Sequence, residues 1–137
     1  MAIPKGLRPG VYIASFFDTR DRLLPIVAQL EAGGHYKVTA RWLLEPPGQT
    51  GLEYWPGHAQ RDIEDIGRSQ LVIIDTIDVT PRGGREVELG LAMASGKQAI
   101  LVGPVRNVFH SLINTRFTNW DEALEFLGAV DQALVLS

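Results

Sequence analysis

"LVIIDTIDVTPRGGREVELGLA", residues 71–92, runs two periodicities into one another. Its first part, 71–78, opens on an unbroken apolar run. Such a run suits a strand covered on both faces, as in a parallel sheet flanked by helices. After Pro81 and two glycines the spacing turns helical. Val87, Gly90, Leu91 and Ala94 share one expected inward face, with Gly90 allowing close approach to the sheet, and the helix extends to about Gly96. A strand feeding a helix in this way implies a right-handed crossover to a parallel neighbour.

The same alternation continues on both sides. Upstream, "GVYIASFF" (10–17) reads as a buried strand. "DRLLPIVAQLEAGG" follows as a helix, with Leu23, Ile26, Val27 and Leu30 at helical spacing, Pro25 in its first turn and Gly33-Gly34 at its end. "YKVTARWLL" (36–44) reads as a second strand. "EPPGQTGLEYWPG" (45–57) is an irregular loop of a length that in a compact domain signals binding, the cover of a site or a surface excursion. "HAQRDIEDIGRSQ" (58–70) places Ala59, Ile63 and Ile66 on one helical stripe. Downstream, "QAILVGPV" (98–105) is a buried strand, "TRFT" (115–118) a short edge strand, and "WDEALEFLGAVDQAL" (120–134) an amphipathic helix. The reading is an α/β fold in a single domain spanning 1–137. Ligands of such sheets bind at the carboxyl ends of strands, here "SFFDTR", "LEPPGQ", "DTIDVTPRGG" and "GPVRNVFH".

Composition narrows the chemistry. The formal net charge of −3 gives no basic footprint for a nucleic-acid polymer. The absence of cysteine excludes disulfides and thiolate chemistry, and His35, His58 and His110 form no metal-ligand spacing, so no metal or other cofactor is expected. Residues 1–10, "MAIPKGLRPG", carry basic residues without the apolar run of a signal peptide or membrane span, and the expectation is a cytoplasmic protein. G-x-G-x-x-G and GxxxxGK[ST] are both absent, which sets aside dinucleotide or ATP binding through those motifs.

Glu86 and Glu88 stand two apart in the new helix, so one site cannot hold both. Glu88 neighbours the inward stripe at the strand-end crevice, and Glu86 is expected to face solvent. A first-turn glutamate also serves the helix dipole, so position alone leaves both roles open.

"GREVELGLAMASGK" (84–97) resembles the G-x-x-x-E-L-G-x-A-x-x-x-G-K signature of the nucleoside 2-deoxyribosyltransferase family, which includes 2'-deoxynucleoside 5'-phosphate N-hydrolases. "VYIASFF" is similar to that family's first strand and aromatic turn, and "RDIEDIGRSQLVIID" to its D-x-x-x-I segment. The resemblance implies a flavodoxin-like three-layer sandwich around a five-stranded, mostly parallel sheet. It implies an enzyme that cleaves the N-glycosidic bond of a nucleoside or nucleoside 5'-monophosphate and passes the deoxyribosyl group to another base or to water. Glu88 would be the nucleophile at C1', Tyr12 the residue orienting it, and Asp62 the acidic pocket residue, with Asp75 or Asp78 as substitutes. Ser15, Phe17, Asp78, Gly84, Asn107 and His110 would meet the substrate, the last two across a homodimer or higher homo-oligomer.

An ionised glutamate suits this reaction because the sugar passes through an oxocarbenium-like centre. Two departures stand out. Gln70 replaces the family's usual acidic residue, and "TPRGGR" brings Arg82 and Arg85 to the helix start, where they suit a 5'-phosphate or serve as surface charges. Two other classes fit the fold: a non-catalytic nucleotide-binding sensor, and an NAD glycohydrolase that would not need Tyr12 and Asp62 in register.

Overall fold

The computed structural model describes residues 8–45, 48–79 and 83–130. Five strands, β1 (Gly10–Ala14), β2 (Lys37–Val38), β3 (Leu71–Asp75), β4 (Gln98–Val102) and β5 (Thr115–Phe117), form one sheet in the order β2-β1-β3-β4-β5. Every pairing is parallel, so the sheet is wholly parallel rather than mostly so. This is the flavodoxin-like order, which reverses between β1 and β3 and opens a crevice at their carboxyl ends.

All five residues of β1 and all five of β3 are buried, as expected of strands covered on both faces. Fully burying a Val, Leu or Ile side chain contributes roughly 1.5–3 kcal/mol, so Val11, Ile13, Val72, Ile73 and Ile74 form the energetic centre of the fold. Helices α1 (Arg20–Ala32) and α4 (Trp120–Ala129) pack together, as do α2 (Trp55–Gly67) and α3 (Gly84–Ala94), giving the two outer layers. The Asn119 side chain caps α4 by accepting from the Glu122 N–H at 3.0 Å. The predicted continuation of this helix to 134 lies outside the described residues after 130.

Several boundaries differ from the periodicity. β1 stops at Ala14, and Phe17–Thr19 form a 3₁₀ turn. β2 spans two residues, because Arg41–Leu44 also close into a 3₁₀ turn. β3 ends at Asp75 and β4 at Val102, where the backbone turns toward the crevice. α2 begins at Trp55, taking the end of the predicted loop into its first turn with Pro56, a tolerated position. Pro25 lies inside α1, beyond its first turn, so one helical hydrogen bond is forgone there.

The helix faces are also rotated from the expectation. On α3 the inward residues are Arg85, Leu89 and Ala92, at i, i+4 and i+7, with Glu88 beside them; Val87 and Gly90 are exposed, and a side chain on Gly90 would touch nothing within 4 Å. On α2, Asp65 and Ile66 are buried while Ala59 and Ile63 face outward. In both helices polar groups took inward positions because each found a partner there, as the site shows.

Candidate active site

A cavity of about 530 Å³ opens where the sheet order reverses. That volume falls in the range typical of small-molecule sites. Ser15, Phe17 and Asp18 reach it from the end of β1, and Trp42 and Glu45 from the turn after β2. Gln49 and Thr50 come from the connection to α2, Trp55, His58 and Asp62 from α2 itself, and Glu88 from α3.

At its floor the Tyr12 hydroxyl donates to Oε2 of Glu88. Tyr12 is fully buried in the central sheet, so its ring cannot swing and the hydroxyl holds the carboxylate in one place. Burial, together with the charges of Glu88 and Asp62, raises the phenol well above its ordinary range, and it remains a donor. Burial pushes Glu88 up to about 8, with the Tyr12 hydrogen bond pulling down and the Asp62 charge adding to the rise. Asp62 is pushed up to about 6, first by burial and then by the carboxylates of Glu45 and Asp65. Its Oδ1 is buried with no hydrogen-bond partner among the described residues.

The wall is held by hydrogen bonds outside the cavity. The Trp42 indole N–H donates to the Ile13 carbonyl at 2.9 Å, fixing that ring 6.5 Å from Phe17. Asp65, fully buried, accepts from the backbone N–H and the Nε of Arg41, both at 2.8 Å, and so anchors the turn carrying Trp42 and Glu45. Glu45 meets His58 at 2.9 Å and Arg61 at 3.3 Å. His58 Nε2 lies 2.7 Å from the Gln49 carbonyl, and the Trp55 indole N–H donates to the Thr50 carbonyl at 3.2 Å. The irregular connection is thus tied to α2 from both sides. Gln70, in place of an acidic residue, accepts from the Gly10 N–H at 2.6 Å and pins the start of β1.

Of the sequence-derived candidates, the structure brings Tyr12, Ser15, Phe17, Asp62 and Glu88 together at this cavity. Of the others, those among the described residues do not reach the cavity wall. Asp78 is exposed and pairs with Arg22 at 3.1 Å. Gly84 is the exposed first residue of α3. Arg85, only 5% exposed, donates to the carbonyls of Asp75 at 3.2 Å and Asp78 at 3.3 Å and pairs with Glu86 at 3.0 Å, so it clamps the loop after β3. Arg82 lies outside the described residues. Asp75, the substitute acid, is buried and bonded to Arg22, the Ile77 N–H and the Trp120 indole at 2.7 Å; it organises the strand end.

Glu86 does not face open solvent as expected. His110 is fully buried; its Nδ1 accepts the Arg106 N–H at 3.1 Å, which leaves the ring proton on Nε2, 2.8 Å from Glu86. Burial alone would raise Glu86, but hydrogen bonds from Asn107, His110 and Arg85 hold it below the usual carboxylate range. Asn107 Oδ1 also accepts from the N–H groups of Phe109 and His110 at 3.0 Å. Asn107 and His110 therefore dock the loop after β4 onto α3 within this chain. Wall residues missed in the sequence include Asp18, Trp42, Glu45, Gln49, Thr50 and His58; the usable signal was an aromatic, Trp42, three residues before an acid, Glu45, at a predicted strand end.

No family model matches the chain, and no curated protein matches it by sequence. Among solved structures it is similar to a 2-deoxyribosyltransferase from Bacillus psychrosaccharolyticus, at 19% identity and TM-score 0.71 over 92% of this chain and 95% of that one. It is also similar to a CMP N-glycosidase from Clostridium botulinum, at 21% identity and TM-score 0.59 over 87% of this chain and 98% of that one. The chain has the fold of these two enzymes, an α/β sandwich around a five-stranded parallel sheet, as the E-L-G-x-A resemblance implied.

Proposed function

We propose that this chain belongs with the nucleoside 2-deoxyribosyltransferases and cleaves the N-glycosidic bond of a nucleoside or nucleoside 5'-monophosphate, with Glu88 as nucleophile. The observation that carries the reading is the buried Tyr12–Glu88 pair sharing a nucleoside-sized cavity with Asp62, whose Oδ1 has no partner among the described residues. The fold shared with a deoxyribosyltransferase and an N-glycosidase supports it.

With Oε2 occupied by the Tyr12 hydroxyl, Oε1 of Glu88 attacks C1'. The C1'–N bond breaks, its electron pair moves onto the base, and Asp62 delivers a proton to a base nitrogen. Water or a second base then attacks C1', releases Glu88 and returns a proton to Asp62. In the empty site burial leaves Glu88 the better proton holder of the two. Positive charge developing on the sugar stabilises the Glu88 carboxylate and moves the proton to Asp62, where the leaving base needs it.

Self-association as a homodimer is part of this proposal; Ile63 on α2 and Val87 on α3, each more than half exposed, are apolar positions that such an interface would cover. Equilibrium sedimentation reads it. For the reaction, the purified protein is incubated with deoxynucleosides, their 5'-monophosphates and NAD, with and without an acceptor base, and free and exchanged bases are followed by chromatography. Base release that falls at least about 10³-fold in Glu88→Ala is expected. Release from no nucleoside or nucleotide refutes the function, and activity surviving Glu88→Ala refutes the mechanism.

A further inference from the structure

β2 stops at Val38 although apolar residues continue to Leu44. In the parallel ladder between β1 and the segment after it, alternate amides of the later segment donate to the earlier one. The Lys37 N–H meets the Pro9 carbonyl at 3.0 Å and the Thr39 N–H the Val11 carbonyl at 2.8 Å. In this register the next rung would run from the Arg41 N–H to the Ile13 carbonyl. Side chains have taken both of its partners. The Arg41 N–H donates to Oδ2 of Asp65 at 2.8 Å, and the Ile13 carbonyl accepts the Trp42 indole N–H at 2.9 Å. One backbone bond is exchanged for two side-chain bonds, and the indole stands where the strand would have continued.

We propose that Asp65 is a positioning residue for the candidate active site: by taking the Arg41 N–H it ends β2 and sets Trp42 into the cavity wall. Asp65 does not itself line the cavity. It is fully buried on α2, and the guanidinium groups of Arg41, at 2.8 Å, and Arg68 pair its charge and keep Oδ2 on the Arg41 amide. The Thr39 hydroxyl donates to the Asp65 carbonyl at 3.0 Å, which holds the departing chain against the same helix. Without the carboxylate the Arg41 N–H would lack an acceptor, and a buried amide left so is costly. The Ile13 carbonyl is the nearest replacement in the register, and returning to it displaces the indole. Trp42 and Glu45 reach the cavity only because the chain has left the sheet before them. The consequence for turnover rests on the N-glycosidic reading above; the consequence for Trp42 does not.

Hydrogen exchange of the Trp42 indole N–H, followed by nuclear magnetic resonance and assigned by its absence in Trp42→Phe, tests this without a substrate. In Asp65→Ala that N–H should exchange at least about tenfold faster than in the wild type. In Asp65→Asn, whose amide oxygen still accepts from the Arg41 N–H, and in Arg41→Ala, which keeps that N–H, it should stay within about threefold. With deoxyadenosine, deoxycytidine and their 5'-monophosphates as substrates, Asp65→Ala should raise KM at least about fivefold and leave kcat within about threefold, because the Tyr12 and Glu88 floor is untouched. Asp65→Asn should restore KM. An indole that stays protected in Asp65→Ala, or that loses protection in Asp65→Asn or Arg41→Ala, overturns the proposal, and the last two decide it even where the alanine variant does not fold. A fall in kcat with KM unchanged overturns the role in the site. An indole that behaves as expected, with no base release from any nucleoside or nucleotide by the wild type, upholds the positioning and overturns the proposed function.

Discussion

Glu88→Gln tests the electrostatics of the site through stability alone, without a substrate. In the folded chain the carboxyl is pushed from an ordinary value of 4.5 to about 8, chiefly by burial. The folded state therefore binds this proton more tightly than the unfolded chain, and stability falls as pH rises through the window from 4.5 to 8. The gap of about 3.5 pH units, at about 1.36 kcal/mol each, bounds the loss at about 5 kcal/mol. Solvent at the open side of the cavity trims this to about 3 kcal/mol. Glutamine keeps the shape and an acceptor for Tyr12 but never ionises. At pH 5 the two proteins should be of similar stability. At pH 9 the variant should be the more stable by about 3 kcal/mol, which for 137 residues is about 10 °C in Tm. Thermal melts followed by circular dichroism at pH 5, 7 and 9 read the difference. A gap between the proteins that stays constant with pH, or a variant that loses stability relative to wild type as pH rises, would refute the assignment of a buried, raised carboxyl to Glu88.

Three further perturbations probe the supporting structure. Tyr12→Phe removes the hydroxyl that orients Glu88 and lowers its pKa, so kcat should fall about 10–100-fold with KM within threefold. The limb of the kcat/KM profile set by Glu88 should also move to higher pH, and an unmoved limb would separate the tyrosine from the carboxylate. Trp120→Phe takes the indole N–H away from buried Asp75, and urea unfolding should report a loss of about 1–3 kcal/mol; an unchanged midpoint would contradict the role given to that bond. Gly103 has φ +118, and a Cβ there would meet the Ile77 nitrogen at 2.8 Å. Gly103→Ala should cost at least about 2 kcal/mol by the same measurement, and a neutral result would mean that the turn after β4 relaxes freely.

By itself the sequence determined the sheet. The apolar runs 11–14, 71–74 and 99–102, inside the stretches read as strands at 10–17, 71–78 and 98–105, suit strands covered on both faces, and the intervening helical spacing implies parallel crossovers. The resemblance carried by E-L-G-x-A implied Tyr12, Asp62 and Glu88 as site residues, and the fold brings these three together at the cavity. The tertiary structure decided which way the polar residues turned. Periodicity placed Ile63 and Val87 inward, yet Asp65 and Arg85 took the buried positions, because Arg41 and the carbonyls after β3 were waiting there as partners. The resemblance implied Asn107 and His110 as substrate contacts, whereas in the fold both hydrogen-bond Glu86 on α3. "RWLL" read as strand, but its indole finds the Ile13 carbonyl 29 residues away and turns the segment into cavity wall. Apolar periodicity is a local property and survives in a string of letters. A hydrogen-bond partner distant in sequence exists only once the chain has folded, and in this protein such partners chose which residues line the site.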